Sequence, residues 1–270
     1  MLVVSRPTCL LERQPHPNPQ LGHARAVEQH AIFVRTLRAE GAQVLQLPFI
    51  RGAQDCVFVR DSALLRTDAS GLHLLPATPR FAQRAMEPGA RVQQLARPGL
   101  RVAAPSPFAL EGGDVVMTAN HVAIMGYGRR TELPSATHLE HFLGCEVVPV
   151  HLRDESLVHL DSALTALSSG AIVLCEEAFD AASLRAIAGL ACPHLVTIPR
   201  AEALRFALDV VEVNRTIVTG TRSAWMDELW RSLGFGVHYS PLEQFQLAGG
   251  SAACLVAPVH DLAEPASAAA

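Results

Sequence analysis

No two of the six cysteines in this 270-residue sequence form a CxxC pair, and Cys9, Cys56, Cys145, Cys175, Cys192 and Cys254 show no short framework spacing. This argues against a dithiol redox motif and against a disulfide scaffold. It leaves reduced thiols, most of them small core residues. A stripe of one charge sign is missing too. The basic residues are scattered arginines and the formal charge is -4, so nucleic acid is not the expected partner. The N-terminus lacks a basic region followed by a long apolar stretch, and no apolar run reaches membrane-spanning length. A cytoplasmic protein with no membrane partner is the expectation. Gly126-Tyr-Gly128 lacks the third glycine of a dinucleotide loop, and no GxSxG or zinc signature is present.

What is present is a globular composition, 49% apolar and 18% charged, in a chain long enough for a substantial core. Short β-branched runs bounded by Gly, Pro, Asp or Asn recur along it. They include 2–5, 44–47, 56–59, 115–117, 122–125, 147–150, 172–174, 195–198, 217–218 and 253–256. Helical periodicity covers 24–39, 136–143, 183–190 and 223–233. Val115–Met125 and Val210–Val218 each read as a β-hairpin followed by a helix and a strand. Such a repeated β-β-α-β unit favours radial, pseudo-symmetric assembly over one doubly wound sheet. No linker interrupts the chain, so residues 1–260 are expected to form one catalytic α/β domain, with 261–270 a frayed tail. The Pro- and His-rich stretch before Ala24 suggests a lid.

Cys254 stands apart from the other cysteines because Gly249-Gly250 precedes it. Glycines let the backbone approach a ligand closely, as a nucleophile on a strand end requires. His159 and Asp161 would share a face if their segment is a strand, pairing a proton carrier with a cation anchor. Asp161 with Ser162 could equally cap a helix. Glu111, beside Gly112-Gly113, is either a turn residue or a desolvated carboxylate facing a cation. Asp55 and Asp61 flank the apolar Val57-Phe58-Val59. An acid in such a run needs a partner, either Arg60 or a bound cation. Arg80, Arg84, Arg129 and Arg130 are candidates for a substrate carboxylate, with surface ion pairing the commoner fate of any one. His138 and His141 have metal-like spacing but fit a solvated helix face, so no metal is expected.

Taken in order, from Glu28-Gln29-His30 to Gly249-Gly250-Ser251-Ala252-Ala253-Cys254, these motifs resemble the guanidino-group-modifying superfamily of dimethylarginine dimethylaminohydrolases, arginine deiminases and amidinotransferases. Length and the Asp55–Asp61 segment look most like the dimethylarginine hydrolases. The resemblance implies a five-bladed α/β-propeller of ββαβ repeats and a central site without metal or cofactor. It implies Cys254 as nucleophile, His159 as general acid/base, and Glu111 on the guanidinium or the histidine. Asp61, helped by Asp55, would bind the guanidinium, and Arg84 and Arg130 would hold the substrate carboxylate. The implied partner is a small guanidino compound, dimethylarginine first and arginine as the alternative, with a homodimer as the assembly to test. An amidinotransferase or a non-catalytic binding relic are the rival readings. Four positions depart from the dimethylarginine hydrolases: Arg60 stands where some have Glu, Asp161 where some have Lys, Glu132 for the usual Asn, and Asp209 where relatives often carry Asn. An acid at Asp161 could hold an unsubstituted guanidine nitrogen.

Overall fold

A computed structural model describes residues 1–7 and 22–262. Strand β1 (Leu2–Ser5) is followed by helix α1 (His23–Ala39) and strand β2 (Val44–Leu47). Then come β3 (Ala63–Asp68), β4 (Gly71–Pro76), α2 (Glu87–Leu95) and β5 (Arg101–Val102). A third unit holds β6 (Val115–Met117), β7 (Ala123–Tyr127), α3 (Ser135–Leu143) and β8 (Val147–His151). A fourth holds β9 (Leu164–Ala166), β10 (Ile172–Leu174), α4 (Ala181–Ala188) and β11 (Leu195–Thr197). After the short α5 (Arg200–Ala203) come β12 (Val210–Val213), β13 (Thr216–Thr219), α6 (Ala224–Ser232) and β14 (Gly236–Tyr239). The single turn α7 (Glu243–Leu247) leads to β15 (Ala257–Asp261).

Each unit pairs in the same way. Its first strand runs antiparallel to its second, and the second runs parallel to the third across the intervening helix. β15, β1 and β2 complete a fifth such unit from the two ends of the chain. β15 also pairs with β3, which fuses two units into one six-stranded sheet beside three separate three-stranded sheets. The class is therefore α/β, as expected. Local chemistry explains the boundaries. Asp180 and Ser223 cap α4 and α6 by accepting the N–H of Ser183 at 2.8 Å and of Met226 at 3.3 Å. Asn214 and Arg215 both adopt positive φ, closing the β12–β13 hairpin with a turn that matches strand twist.

Two expected strands are not strands. Cys56–Val59 falls in consecutive 3-10 turns, Gln54–Val57 and Val59–Ser62, because Asp55 and Asp61 break the apolar run. Residues 253–256 form a turn ahead of β15, so Cys254 is not on a strand end. His159 is extended, but Leu160–Ser162 is a 3-10 turn, so the shared-face argument for His159 and Asp161 does not hold. The lid expected before Ala24 and the tail expected at 261–270 fall largely outside the described residues, although Asp261 closes β15. No described helix is long and apolar enough to cross a membrane.

Candidate active site

The chemistry-bearing side chains come from equivalent places. Each lies in the irregular segment just ahead of the first strand of its unit: Asp61 before β3, Glu111 and Asp114 before β6, His159 and Asp161 before β9, Asp209 before β12, and Cys254 before β15. Buried acids tie several of these turns together by accepting backbone N–H groups. Asp61 Oδ1 takes Gly113 N at 3.1 Å, and Asp114 Oδ1 takes Leu160 N at 3.0 Å. Asp209 takes Ser251 N at 2.8 Å, Ala253 N at 2.5 Å and Cys254 N at 3.3 Å. Gly113 is obligatory here, since a Cβ would collide with the Asp61 carboxylate and come within 2.8 Å of the His159 ring.

One wall of the site is built around the imidazole. His159, 4% exposed, donates from Nε2 to Glu111 Oε2 at 2.8 Å and places Nδ1 3.6 Å from Asp61 Oδ1. Burial alone would discharge the ring. Asp61, the Glu111 hydrogen bond and Asp114 outweigh it and raise the pKa to about 9. Asp61 and Glu111 are desolvated as well, yet their imidazolium and arginine neighbours keep both below the usual carboxylate range. Glu111 also accepts from Arg80 N at 3.2 Å and lies 3.4 Å from Arg130 Nη1.

The other wall is built around the thiol. Cys254 Sγ donates to Asp209 Oδ2 at 3.1 Å and lies 3.8 Å from Asp161 Oδ2. Burial, then Asp161, Asp209 and Asp61, push its pKa well up, so the unliganded thiol is protonated. Asp161 lies 3.1 Å from Arg60 Nε, but the pair is poorly aligned: that Nε and Asp161 Oδ1 are both buried without a hydrogen-bond partner. Burial therefore prevails over Arg60, and Asp209 adds to it, raising Asp161 to about 8. Gly249, at φ +100°, and Gly250 turn the chain into the nucleophile segment. A Cβ on Gly250 would meet the Phe58 ring at 2.6 Å and Cys254 Cβ at 3.0 Å. His159, Asp161, Asp209, Cys254, Leu204 and Phe206 share a cavity of about 110 Å³. Phe206 holds a strained positive φ of 64° there, just ahead of Asp209.

The structure thus brings Cys254, His159, Glu111, Asp61 and Asp161 together. Arg84, expected to anchor a substrate carboxylate, is placed otherwise. It is 5% exposed, and its guanidinium is committed to Asp61 at 2.5 Å, to Glu87 at 2.7 and 2.9 Å, and to the Phe58 carbonyl at 2.9 Å. It holds Asp61 in place and has no free fork for a ligand. Arg130 is half-buried with its guanidinium 4.6 Å from the centre of the Phe81 ring, an arrangement that leaves it able to meet an anion. Asp55 is half-buried at the edge of the 3-10 turn, and Arg84 bonds its carbonyl rather than its carboxylate. Asp209 was visible in sequence only as a departure from relatives; the signal for its role is an acid placed directly before a strand that ends up 0% exposed. Asp61, Glu111 and His159 offer ligand atoms within 4.8 Å of one another, the spacing of a metal site. The cations of Arg84, Arg130 and His159 itself already balance those carboxylates, so the residues present do not fit a metal ion.

Comparison with known proteins places this arrangement. The bifunctional arginine dihydrolase/ornithine cyclodeaminase ArgZ of Synechocystis sp. is 37% identical over 137 residues, 50% of this chain. The chain spans only part of such bifunctional relatives, the matches covering 19% and 20% of their lengths. The N(G),N(G)-dimethylarginine dimethylaminohydrolase of Mycobacterium tuberculosis is 26% identical over 241 residues, 89% of this chain and 76% of that protein. The solved N-terminal domain of ArgZ superposes with a TM-score of 0.85 at 27% identity, covering 96% of this chain and 98% of that domain. A dimethylarginine dimethylaminohydrolase structure shares the fold at a TM-score of 0.74 and 20% identity. The sequence profile described as N,N dimethylarginine dimethylhydrolase, eukaryotic, matches residues 12–261. With that match spanning most of its length, the chain belongs to the N,N-dimethylarginine dimethylhydrolase family.

Proposed function

We propose that this chain hydrolyses the guanidinium carbon of arginine or a close derivative through a covalent intermediate on Cys254. The observation that carries the reading is a protonated thiol flanked by buried carboxylates in one cavity with His159, whose charged ring is held by Glu111. A site with that much buried negative charge is built for a cation. A guanidinium docked between Asp61 and Asp161 pairs with Asp61, favours the ionised form of Asp161 and favours the thiolate beside it. The thiolate then forms the C–S bond at the planar carbon. The His159 imidazolium protonates the departing nitrogen, which leaves a thiouronium on Cys254. His159, now neutral, takes a proton from water as the water attacks the same carbon. Breaking the C–S bond frees Cys254 and a ureido product. The net reaction is guanidinium plus water to a ureido group plus an ammonium ion.

The unpartnered Asp161 Oδ1 favours arginine over dimethylarginine. Two N-methyl groups remove the N–H donors of one nitrogen, and a buried carboxylate facing methyls is left without a partner. ArgZ, the structural relative, is described as an arginine dihydrolase, which accords with this choice. The reading includes a five-bladed propeller over residues 1–260. What supports it is the set of turn-to-turn hydrogen bonds, together with Arg60 N to the Cys254 carbonyl at 3.4 Å and the pairing of β15 with both β1 and β3. The thiols at 56, 145, 175, 192 and 254 are unpaired, in keeping with a reducing, cytoplasmic setting.

The test is incubation with arginine, monomethylarginine and asymmetric dimethylarginine in parallel, scoring citrulline, ornithine and the released amine. Ammonia from arginine, at a kcat/KM above that of the methylated substrates, is expected. Dimethylamine as the dominant product would overturn the substrate choice, and no turnover of any guanidine would overturn the reaction.

A further inference from the structure

The reaction above leaves one proton unplaced, the one that Cys254 must lose before it attacks. Asp209 is where the geometry directs it. Its Oδ2 is 3.1 Å from Sγ as the acceptor of the thiol hydrogen bond, and it is 0% exposed. The same carboxylate receives the N–H groups of Ser251, Ala253 and Cys254, so it is held rigidly against the nucleophile. A purely structural role has a model inside the molecule. Asp114 occupies the matching place ahead of β6, is 2% exposed, and accepts Leu160 N at 3.0 Å. Among its described contacts there is no thiol. Asp209 combines the tie that Asp114 makes with a direct contact to the reacting sulfur.

We propose that Asp209 is a catalytic residue that accepts the proton of Cys254, so that thiolate forms by transfer inside the pair rather than by release to solvent. The step is Cys254–SH plus Asp209–COO⁻ to Cys254–S⁻ plus Asp209–COOH. The pair carries one proton and one negative charge before and after, and the proton returns to sulfur when the C–S bond breaks. This deepens the functional reading and rests on Cys254 being the nucleophile. Burial and the neighbouring acids raise the thiol, and burial raises Asp209 against its hydrogen bonds, so both partners hold the shared proton against release to solvent. The other charged groups facing the thiol are Asp161, raised to about 8, Asp61, held low, Arg60 behind Asp161, and His159, raised to about 9.

A pair that keeps its proton has a distinctive pH signature. The alkylation rate of Cys254 by iodoacetamide, read on its own peptide by mass spectrometry in the substrate-free protein, is expected to change less than about threefold between pH 6 and pH 8. An unassisted thiol of raised pKa gains tenfold per pH unit, about 100-fold over that range. Asp209→Asn, which keeps an oxygen for the backbone N–H groups, is expected to show that steep rise. If that variant does not fold, Asp209→Ser, with room for a water, takes its place with the same expectation. A steep profile in the unaltered protein overturns the proposal, and so does a flat profile that survives replacement of Asp209. The measurement uses no guanidine, so a wrong substrate assignment would leave its outcome untouched.

Discussion

The two walls of the cavity use the same residue types to opposite effect. Around His159, buried carboxylates stabilise a cation, and the pKa rises to about 9, so the ring is charged at neutral pH. Around Cys254, buried carboxylates oppose an anion, and the pKa also rises, so the sulfur is neutral. One electrostatic field therefore charges the imidazole and keeps the thiol neutral. On the proposed reaction, such a site rests in a protected state and is switched on by the charge of what enters it. A neutral ligand would leave the thiol as it is; a guanidinium would cancel the field on that side.

The comparison can be broken most severely at the sulfur. Cys254→Ser is expected to lower turnover by about 10⁴-fold or more while guanidine binding, measured calorimetrically, persists. Retained turnover would remove the thiol from the chemistry. Next in size is the support beneath the imidazole wall. Arg84→Met leaves Asp61 and Glu87 buried without their cation, and loss of one partner of such a pair costs about 3–5 kcal/mol. A clear fall in Tm is expected; an unchanged Tm would show that the pair is not structural. A smaller change sharpens the thiol wall. Asp161→Asn is expected to raise KM for arginine about tenfold, with dimethylarginine less affected, because the variant loses an acceptor that only an N–H can use. Equal effects on both substrates would contradict the preference for arginine.

A last effect is on the pH dependence of stability. His159 has a folded pKa of about 9 against 6.5. Its contribution is complete below pH 6.5 and is lost as pH rises toward 9. His30 and His260 behave in the opposite sense. Burial lowers both to about 4, so their contribution is complete above pH 6.5 and is lost as pH falls toward 4. Chemical denaturation across pH 4–9 should give a broad maximum near neutrality, and His159→Gln should flatten its alkaline side. A wild-type alkaline limb that matches the variant's would show that the imidazolium is not stabilising.

Much of this was legible in the sequence, for identifiable reasons. Hairpins such as Val210–Val218 announced the repeat because alternation and an Asn-Arg turn are local signals. Cys254, His159, Glu111 and Asp61 were singled out through short motifs rich in Gly and acids, and the structure brings them together. Their local conformation was not legible: runs at 56–59 and 253–256 read as strands, but distant side chains hold them as turns, Arg91 and Arg84 donating to the Cys56 and Phe58 carbonyls and Asp209 accepting from Ala253 and Cys254 N. Arg84 was found and given the wrong task, since a sequence cannot show that Asp61 and Glu87 have already taken its donors. Asp209 gave little local signal. Its contact with the sulfur depends on a turn some forty residues away in the chain.

The central claim, a covalent guanidino hydrolysis on Cys254, is tested most directly by quenching turnover with acid while arginine labelled with ¹³C at the guanidino carbon is being consumed. The account predicts the labelled carbon on the Cys254 peptide, absent in Cys254→Ser, with the same carbon then appearing in the ureido product. Product formation with no label on Cys254, or with label on another residue, would contradict it.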